Sequence, residues 1–158
     1  IVSIDTGAMF KGYTSDAART YAVGEISAEA QKLIDVTKES FFRGIEYAKA
    51  GYRLGDLGHA IQEYSEANGM GVIRSYTGHG VGRNLHEDPM VPNYGTPGKG
   101  VKLKAGMTLA IEPMLVLGHY DTRVLSNEWT VVTVDGSLAA HYENTVVITE
   151  GEPEILTL

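Results

Sequence analysis

"IVSIDTGAMFKGYTSDAARTYAVG", residues 1–24, alternates in side-chain character on both sides of Lys11–Gly12, and its reading decides the fold. Period-two alternation about a Gly-containing pair predicts a β-hairpin whose successive side chains point to opposite faces. Folded about Phe10–Lys11, or one residue later with a bulge, the hairpin sets Asp5 and Asp16 opposite or nearly opposite each other on one face. Two carboxylates so placed repel unless something cationic joins them.

Downstream the period changes. Ser27 suits an N-cap and Glu29 a first helical turn, while Leu33, Ile34, Thr37, Phe41, Ile45 and Ala48 recur at helical spacing up to Gly51, read as the C-cap. A shorter helix carries Leu57, Ala60, Ile61 and Tyr64 and ends at Asn68–Gly69. From Val72 onward β-formers dominate in "VIRSY", "MTLAIEPMLVLG", "WTVVTV" and "AAHYENTVVITE". "YGTPGKG", residues 94–100, reads as a surface loop. Hairpin, two helices and then strands make an α+β domain spanning residues 1–158, with a mainly antiparallel sheet covered by the two helices.

Composition limits what such a domain binds. The 158 residues are 43% hydrophobic and 21% charged, with a net charge of −7, which disfavours nucleic acid and anionic membrane partners. There is no cysteine, so a metal site must be built from Asp, Glu and His. No apolar run is long enough for a membrane span and no signal peptide opens the chain, so a cytoplasmic location is expected. The first residue, Ile1, lies inside a strand-like run, which reads as a fragment, a processed product or a chain whose start is not shown.

Glu112 lies within "LAIEPM" and Glu143 within "HYENTVVI", apolar strand-like runs where an ionised carboxylate is costly unless paired or metal-bound. A single strand acid usually faces water or an Arg; four such acids in one domain form a pattern. In "SYTGHGVGRNLHEDP", residues 75–89, three glycines surround His79 and allow close backbone approach. A phosphate loop is excluded there, since neither Lys-Ser/Thr nor a helical pattern follows. One imidazole and several carboxylates make a hard, oxygen-rich donor set suited to two divalent ions such as Mn, Co, Fe or Zn.

"DTGAMFKGYTSDAARTYAVG", "GHGVGRNLHEDPMVPNYG", "LKAGMTLAIEPM", "WTVVTVDGSLAAHYENTVVIT" and the closing "EILTL" resemble the type I methionine aminopeptidases, metal hydrolases of the pita-bread fold. The resemblance covers essentially the whole chain in order. It implies the C-terminal portion of that fold, with Asp5 as a terminal ligand of one metal, His79 and Glu112 on the other, and Asp16 and Glu143 as bridges. It further implies a shared hydroxide attacking the first peptide carbonyl, Glu112 as proton shuttle and His86 contacting the scissile amide. Leu85 and Trp129 match positions lining the methionine pocket. His59, His119 and His141 receive no metal role.

The chain departs from that family in two respects. The N-terminal part of its relatives, with a substrate-contacting histidine in a Val-His-Gly-Ile-Pro motif, has no counterpart here. Asn144 stands where histidine usually follows the last Glu, a feature found among the X-Pro peptidases. The expected function is therefore a dinuclear metal aminopeptidase acting on peptide or nascent-protein N-termini. The alternatives are a metal- or peptide-binding module without turnover and, less favoured, an X-Pro aminopeptidase or prolidase. The absent half also leads to the expectation of a homodimer.

Overall fold

The computed structural model describes residues 1–158. Strands β1 (Val2–Phe10) and β2 (Tyr13–Tyr21) form the expected hairpin, closed by Lys11 and Gly12 with φ of 50° and 81°. Both central residues of such a two-residue turn need positive φ, which glycine adopts without strain. The register runs from Phe10↔Tyr13 through Gly7↔Asp16 and Asp5↔Ala18. Asp5 and Asp16 are therefore diagonal neighbours on one face and not opposite each other. The hairpin folds one residue later than Phe10–Lys11, and it does so without a bulge. On that face Asp16, Ala18 and Thr20 are buried, whereas β1 is exposed along its whole length.

Helix α1 (Ala28–Ile45) starts where Ser27 accepts the Ala30 N–H at 3.1 Å. It ends short of Gly51, because bonds from Tyr47 to Gly44 and from Ala48 to Ile45 tighten and close the last turn. Ala48 thus reaches the core from outside the helix. Helix α2 (Leu54–Ala67) is opened by Asp56, whose carboxylate accepts the N–H groups of Arg53 and Gly98. Those bonds pin the 94–100 loop to the helix N-terminus. The two helices approach closely at Gly44, where a Cβ would come within 2.6 Å of Ile61.

The remaining strands are β3 (Gly71–Val72), β4 (Gly78–Gly80), β5 (Glu87–Val91), β6 (Thr108–Ile111), β7 (Met114–Val116), β8 (Thr122–Val124), β9 (Val131–Thr133), β10 (Ala139–His141), β11 (Asn144–Val147) and β12 (Glu154–Ile155). One five-stranded sheet has the order β12-β11-β6-β4-β5, and a three-stranded sheet the order β10-β7-β3. All these pairings are antiparallel, as are the β1–β2 and β8–β9 pairs. Of the "VIRSY" run only Val72 is in a strand.

Glu112 and Glu143 are not inside strands, contrary to expectation. β6 breaks into β7 at Glu112–Pro113, where proline has no N–H for a ladder, and β10 breaks into β11 at Tyr142–Glu143. The register is the same on both sides of the break, with His141↔Met114 and Asn144↔Ile111, so Glu112 stands opposite Glu143. One two-stranded ribbon therefore contributes its first half to one sheet and its second half to the other.

Phe41, Leu57, Ile61, Leu109, Ile111, Val146 and Ile148 fill the core between the helices and the five-stranded sheet. Leu33, Val36, Met70, Val72, Leu115 and Ala140 do the same beside the three-stranded sheet. Each large aliphatic buried in this way contributes about 1.5–3 kcal/mol relative to exposure. The arrangement is the expected α+β one, with two helices on mainly antiparallel sheets. Neither helix is long and apolar enough to cross a membrane.

Candidate metal centre

The hairpin is tied to the ribbon at Asp16 chiefly by the Thr145 hydroxyl. The Asp16 N–H donates to Thr145 Oγ1 at 2.8 Å, and that hydroxyl donates back to the Asp16 carbonyl at 2.9 Å. Asp5, exposed, lies diagonal to Asp16 on the same face, and Gly7 directly opposite leaves the space above the strand open. A Cβ on Gly7 would come within 2.9 Å of Leu85 Cδ1, so the Leu85 side chain occupies that space.

His79 sits in β4, paired with Ala110 of β6. Flanking glycines make this possible, since a Cβ on Gly78 would collide with the Ala110 carbonyl and one on Gly80 with that of Asp88. The ring Nδ1 lies 2.9 Å from the Gly80 carbonyl and donates to it, leaving a lone pair on Nε2. Nε2 points between Asp16 Oδ2, at 3.7 Å, and Glu112 Oε1, at 3.5 Å.

At the ribbon break the backbone bonds of both glutamates are diverted. Glu143 donates its N–H to Ala18 of β2 at 2.9 Å, and the Glu112 carbonyl accepts from Asn93 Nδ2 at 2.9 Å. Arg19 donates to the Glu143 carbonyl and to Asn144 Oδ1, and its guanidinium lies 4.2 Å from the Tyr142 ring centre. Its other end reaches the Thr157 carbonyl, so the C-terminal segment, the hairpin and the break are held together.

The acids do not fit one another as an empty set. Glu143 is 1% exposed and its Oε1 has no hydrogen-bond partner. Burial pushes its carboxyl up to about 9, reinforced by Glu112, Asp16 and Asp5 and opposed by Arg19. Asp16 is also raised, first by burial and then by Asp5 and Glu112, with His79 opposing. Ligand atoms of Asp16, His79 and Glu143 lie within 4.8 Å of one another. An orphaned buried carboxylate oxygen, crowded acids and a free imidazole lone pair are resolved together by divalent cations, which favour hard oxygen donors. The donor set fits such ions.

Asp5, Asp16, His79, Glu112 and Glu143 all line one cavity of about 720 Å³, together with His86, whose ring centre is 4.3 Å from that of His79. Leu85 is not among the residues that line it; its tip lies over Gly7, next to Asp16. Trp129 does not reach the cavity. The β8–β9 pair is a separate two-stranded ribbon, and Trp129 sits in its turn, 87% exposed, with its N–H on Asn127 Oδ1. The pocket-lining place implied for Trp129 is therefore not found here. His59, near Glu63 on α2, and His119, with its backbone N–H on Asp135, also lie elsewhere.

Sequence reasoning missed His141. It lines the cavity, with Nε2 3.5 Å from Glu112 Oε2. The available signal was its position two residues before Glu143 in an extended run, which puts both on one side of the chain.

Residues 1–150 match the family model for metallopeptidase family M24. The chain is 64% identical over 158 residues to a methionine aminopeptidase of Clostridium acetobutylicum, and 53% identical over 157 residues to methionine aminopeptidase 1 of Bacillus subtilis. It spans 63% of the length of each, while 100% and 99% of this chain is covered. Among solved structures, a methionine aminopeptidase from Thermotoga maritima superposes with a TM-score of 0.96 at 55% identity, covering 98% of this chain and 62% of that one. An X-Pro aminopeptidase from the same organism gives 0.75 at 25% identity, covering 99% and 39%.

Proposed function

Because the chain belongs to metallopeptidase family M24 and has its pita-bread fold, we propose that it is the metal-binding portion of an aminopeptidase that removes methionine from the N-termini of peptides or nascent proteins. The observation that carries this reading is the convergence of Asp5, Asp16, His79, Glu112 and Glu143 on one cavity. Similarity to proteins named methionine aminopeptidase, at 64% and 60% identity, favours methionine over an X-Pro substrate, since an X-Pro aminopeptidase and prolidases of similar structure are 25–27% identical. Action on nascent chains would place the protein in the cytoplasm.

Two divalent ions, Mn, Co, Fe or Zn, would be held by those five side chains. Bound there, such ions supply Lewis-acid polarisation of a scissile carbonyl and activation of water. Glu112, partly sealed from solvent at the cavity wall, takes the proton released in the attack and returns it to the leaving amine. His86, beside His79, donates to the scissile amide and orients the peptide. Leu85, over Gly7, contributes an apolar wall for the methionine side chain.

The second reading is binding of metal or peptide without turnover. The test for both is hydrolysis of Met-Ala-Ser, a Leu-initiated peptide and an X-Pro peptide with Mn or Co, with and without chelator. Chelator-sensitive cleavage of the Met peptide alone is expected. A fully metallated protein that cleaves none of them would establish the second reading.

A homodimer is proposed on the exposed apolar side of the hairpin, where Val2, Ile4, Phe10, Tyr13 and Tyr21 lie on one face. An interface of about 2,000 Å² is expected for it. Light scattering that returns a single mass near 17.1 kDa would rule it out.

A further inference from the structure

We infer that His141 is a positioning residue that holds the Glu112 carboxylate by a hydrogen bond from its Nε2–H. The inference rests on the metal-centre reading above and adds a residue to it.

The observations begin with the backbone. His141 ends β10 at the register position opposite Met114, one residue before the ribbon breaks. The Thr20 hydroxyl of β2 accepts the His141 N–H at 2.8 Å and donates to the His141 carbonyl at 2.9 Å. This fixes the peptide from which the ring projects. The ring then enters the cavity wall, where Nε2 is sealed from solvent and has no hydrogen-bond partner. Its nearest acceptor is Glu112 Oε2, at 3.5 Å. A buried ring nitrogen without a partner costs free energy, and a small rotation of either side chain converts this approach into a hydrogen bond.

Glu112 is thereby addressed from both sides. Oε1 faces His79 Nε2 and Oε2 faces His141 Nε2, each at 3.5 Å. The two imidazoles differ in role. His79 has its Nδ1–H on the Gly80 carbonyl and offers a lone pair from Nε2, whereas His141 can serve Glu112 only by donating from Nε2. With Oε2 held by His141, Oε1 is presented toward the side where His79, Asp16 and Glu143 converge. Partners of ligating carboxylates typically change metal affinity by about 10–100-fold when removed.

The experiment is titration of purified, metal-free protein with Mn(II), followed by calorimetry and by the electron paramagnetic resonance of free Mn(II), for wild type, His141→Leu, His141→Gln and Glu112→Gln. His141→Leu is expected to weaken Mn(II) binding about 10–100-fold. His141→Gln, whose amide N–H can reach the place of Nε2–H, is expected to recover affinity to within about threefold. In the Glu112→Gln background the His141→Leu effect should largely vanish, since the two changes act on one interaction. A purely structural role would remove the difference, with the apolar Leu tolerated as well as Gln. Wild-type affinity in His141→Leu, equal loss in Gln and Leu, or full additivity with Glu112→Gln overturns the inference. If His141→Leu does not fold, His141→Ala takes its place, with the same expected loss and the same vanishing of that loss in the Glu112→Gln background. Failure of the wild type to bind Mn(II) overturns the metal-centre reading itself, a separate outcome.

Discussion

Glu112 stands opposite Glu143 on an antiparallel ribbon at the one place where neither residue belongs to a strand. The Glu143 N–H is spent on Ala18 of the hairpin, and the Glu112 carbonyl on Asn93. With their backbone groups satisfied elsewhere, two carboxyl groups are held face to face, and burial keeps the proton on Glu143.

Removing Asp16 or Glu143, two of the proposed ligands, should remove metal. Asp16→Ala and Glu143→Ala proteins, reconstituted with Mn(II) under anaerobic conditions, are expected to hold less than one ion where the wild type holds up to two. Elemental analysis after desalting measures this. Unchanged metal content in both variants would show that the ligand assignment is wrong.

The metal-free protein should lose stability as pH rises. Glu143 in the fold keeps its proton up to about 9, against 4.5 for an ordinary Glu. Its stabilising contribution is therefore complete below pH 4.5 and is lost as pH climbs toward 9. Glu143→Gln, which cannot ionise, should be more resistant to urea than wild type at pH 8.5, by on the order of 1 kcal/mol or more, with a smaller difference at pH 5.5. Parallel stability curves for the two chelator-treated proteins would contradict this.

Thr145 supports Asp16 without touching the cavity. Its hydroxyl bonds both the N–H and the carbonyl of Asp16, and it is 2% exposed. Thr145→Val keeps the shape but strands the buried Asp16 N–H and leaves the Asp16 carbonyl only a 3.4 Å bond from the Thr157 hydroxyl, at a cost of about 1–3 kcal/mol. Urea denaturation gives this figure directly. Mn(II) affinity should fall with it, because the strand carrying Asp16 is released from β11.

Gly7→Ala tests the apolar wall. The added Cβ meets the tip of Leu85, a flexible side chain that can move aside. Folding stability and metal content should stay near wild type, while KM for Met-initiated peptides should rise several-fold, by an estimate of about 1 kcal/mol for a displaced apolar contact. Steady-state kinetics on Met-Ala-Ser is the measurement, and an unchanged KM would remove Leu85 from the substrate site.

The hairpin, both helices and the β-rich second half were legible because each depends on local periodicity that survives packing. What was not legible depends on long-range registration. The offset of Asp5 from Asp16 follows from a turn that closes on Lys11–Gly12 with both φ values positive, a matter of one residue in strand length. Pro113 was read inside one strand-like run, and nothing local indicated that a break there would be matched across the ladder at Tyr142–Glu143. His141 resembles any strand histidine until the ribbon brings it to Glu112. Trp129 was placed by resemblance to a family, and in this structure the turn that carries it extends into solvent.

The ribbon break has a mechanical consequence. Above it the paired chains belong to the three-stranded sheet and below it to the five-stranded one, so the break is a fold line shared by two plates. Glu112 and Glu143 face each other across that line, so two of the side chains that would hold an ion sit where the plates meet, and a bound ion would pin one plate to the other. Slow amide exchange at β10 and β11 would then report occupancy of the centre from a distance, because stiffness on either side of the fold line is set at the line itself.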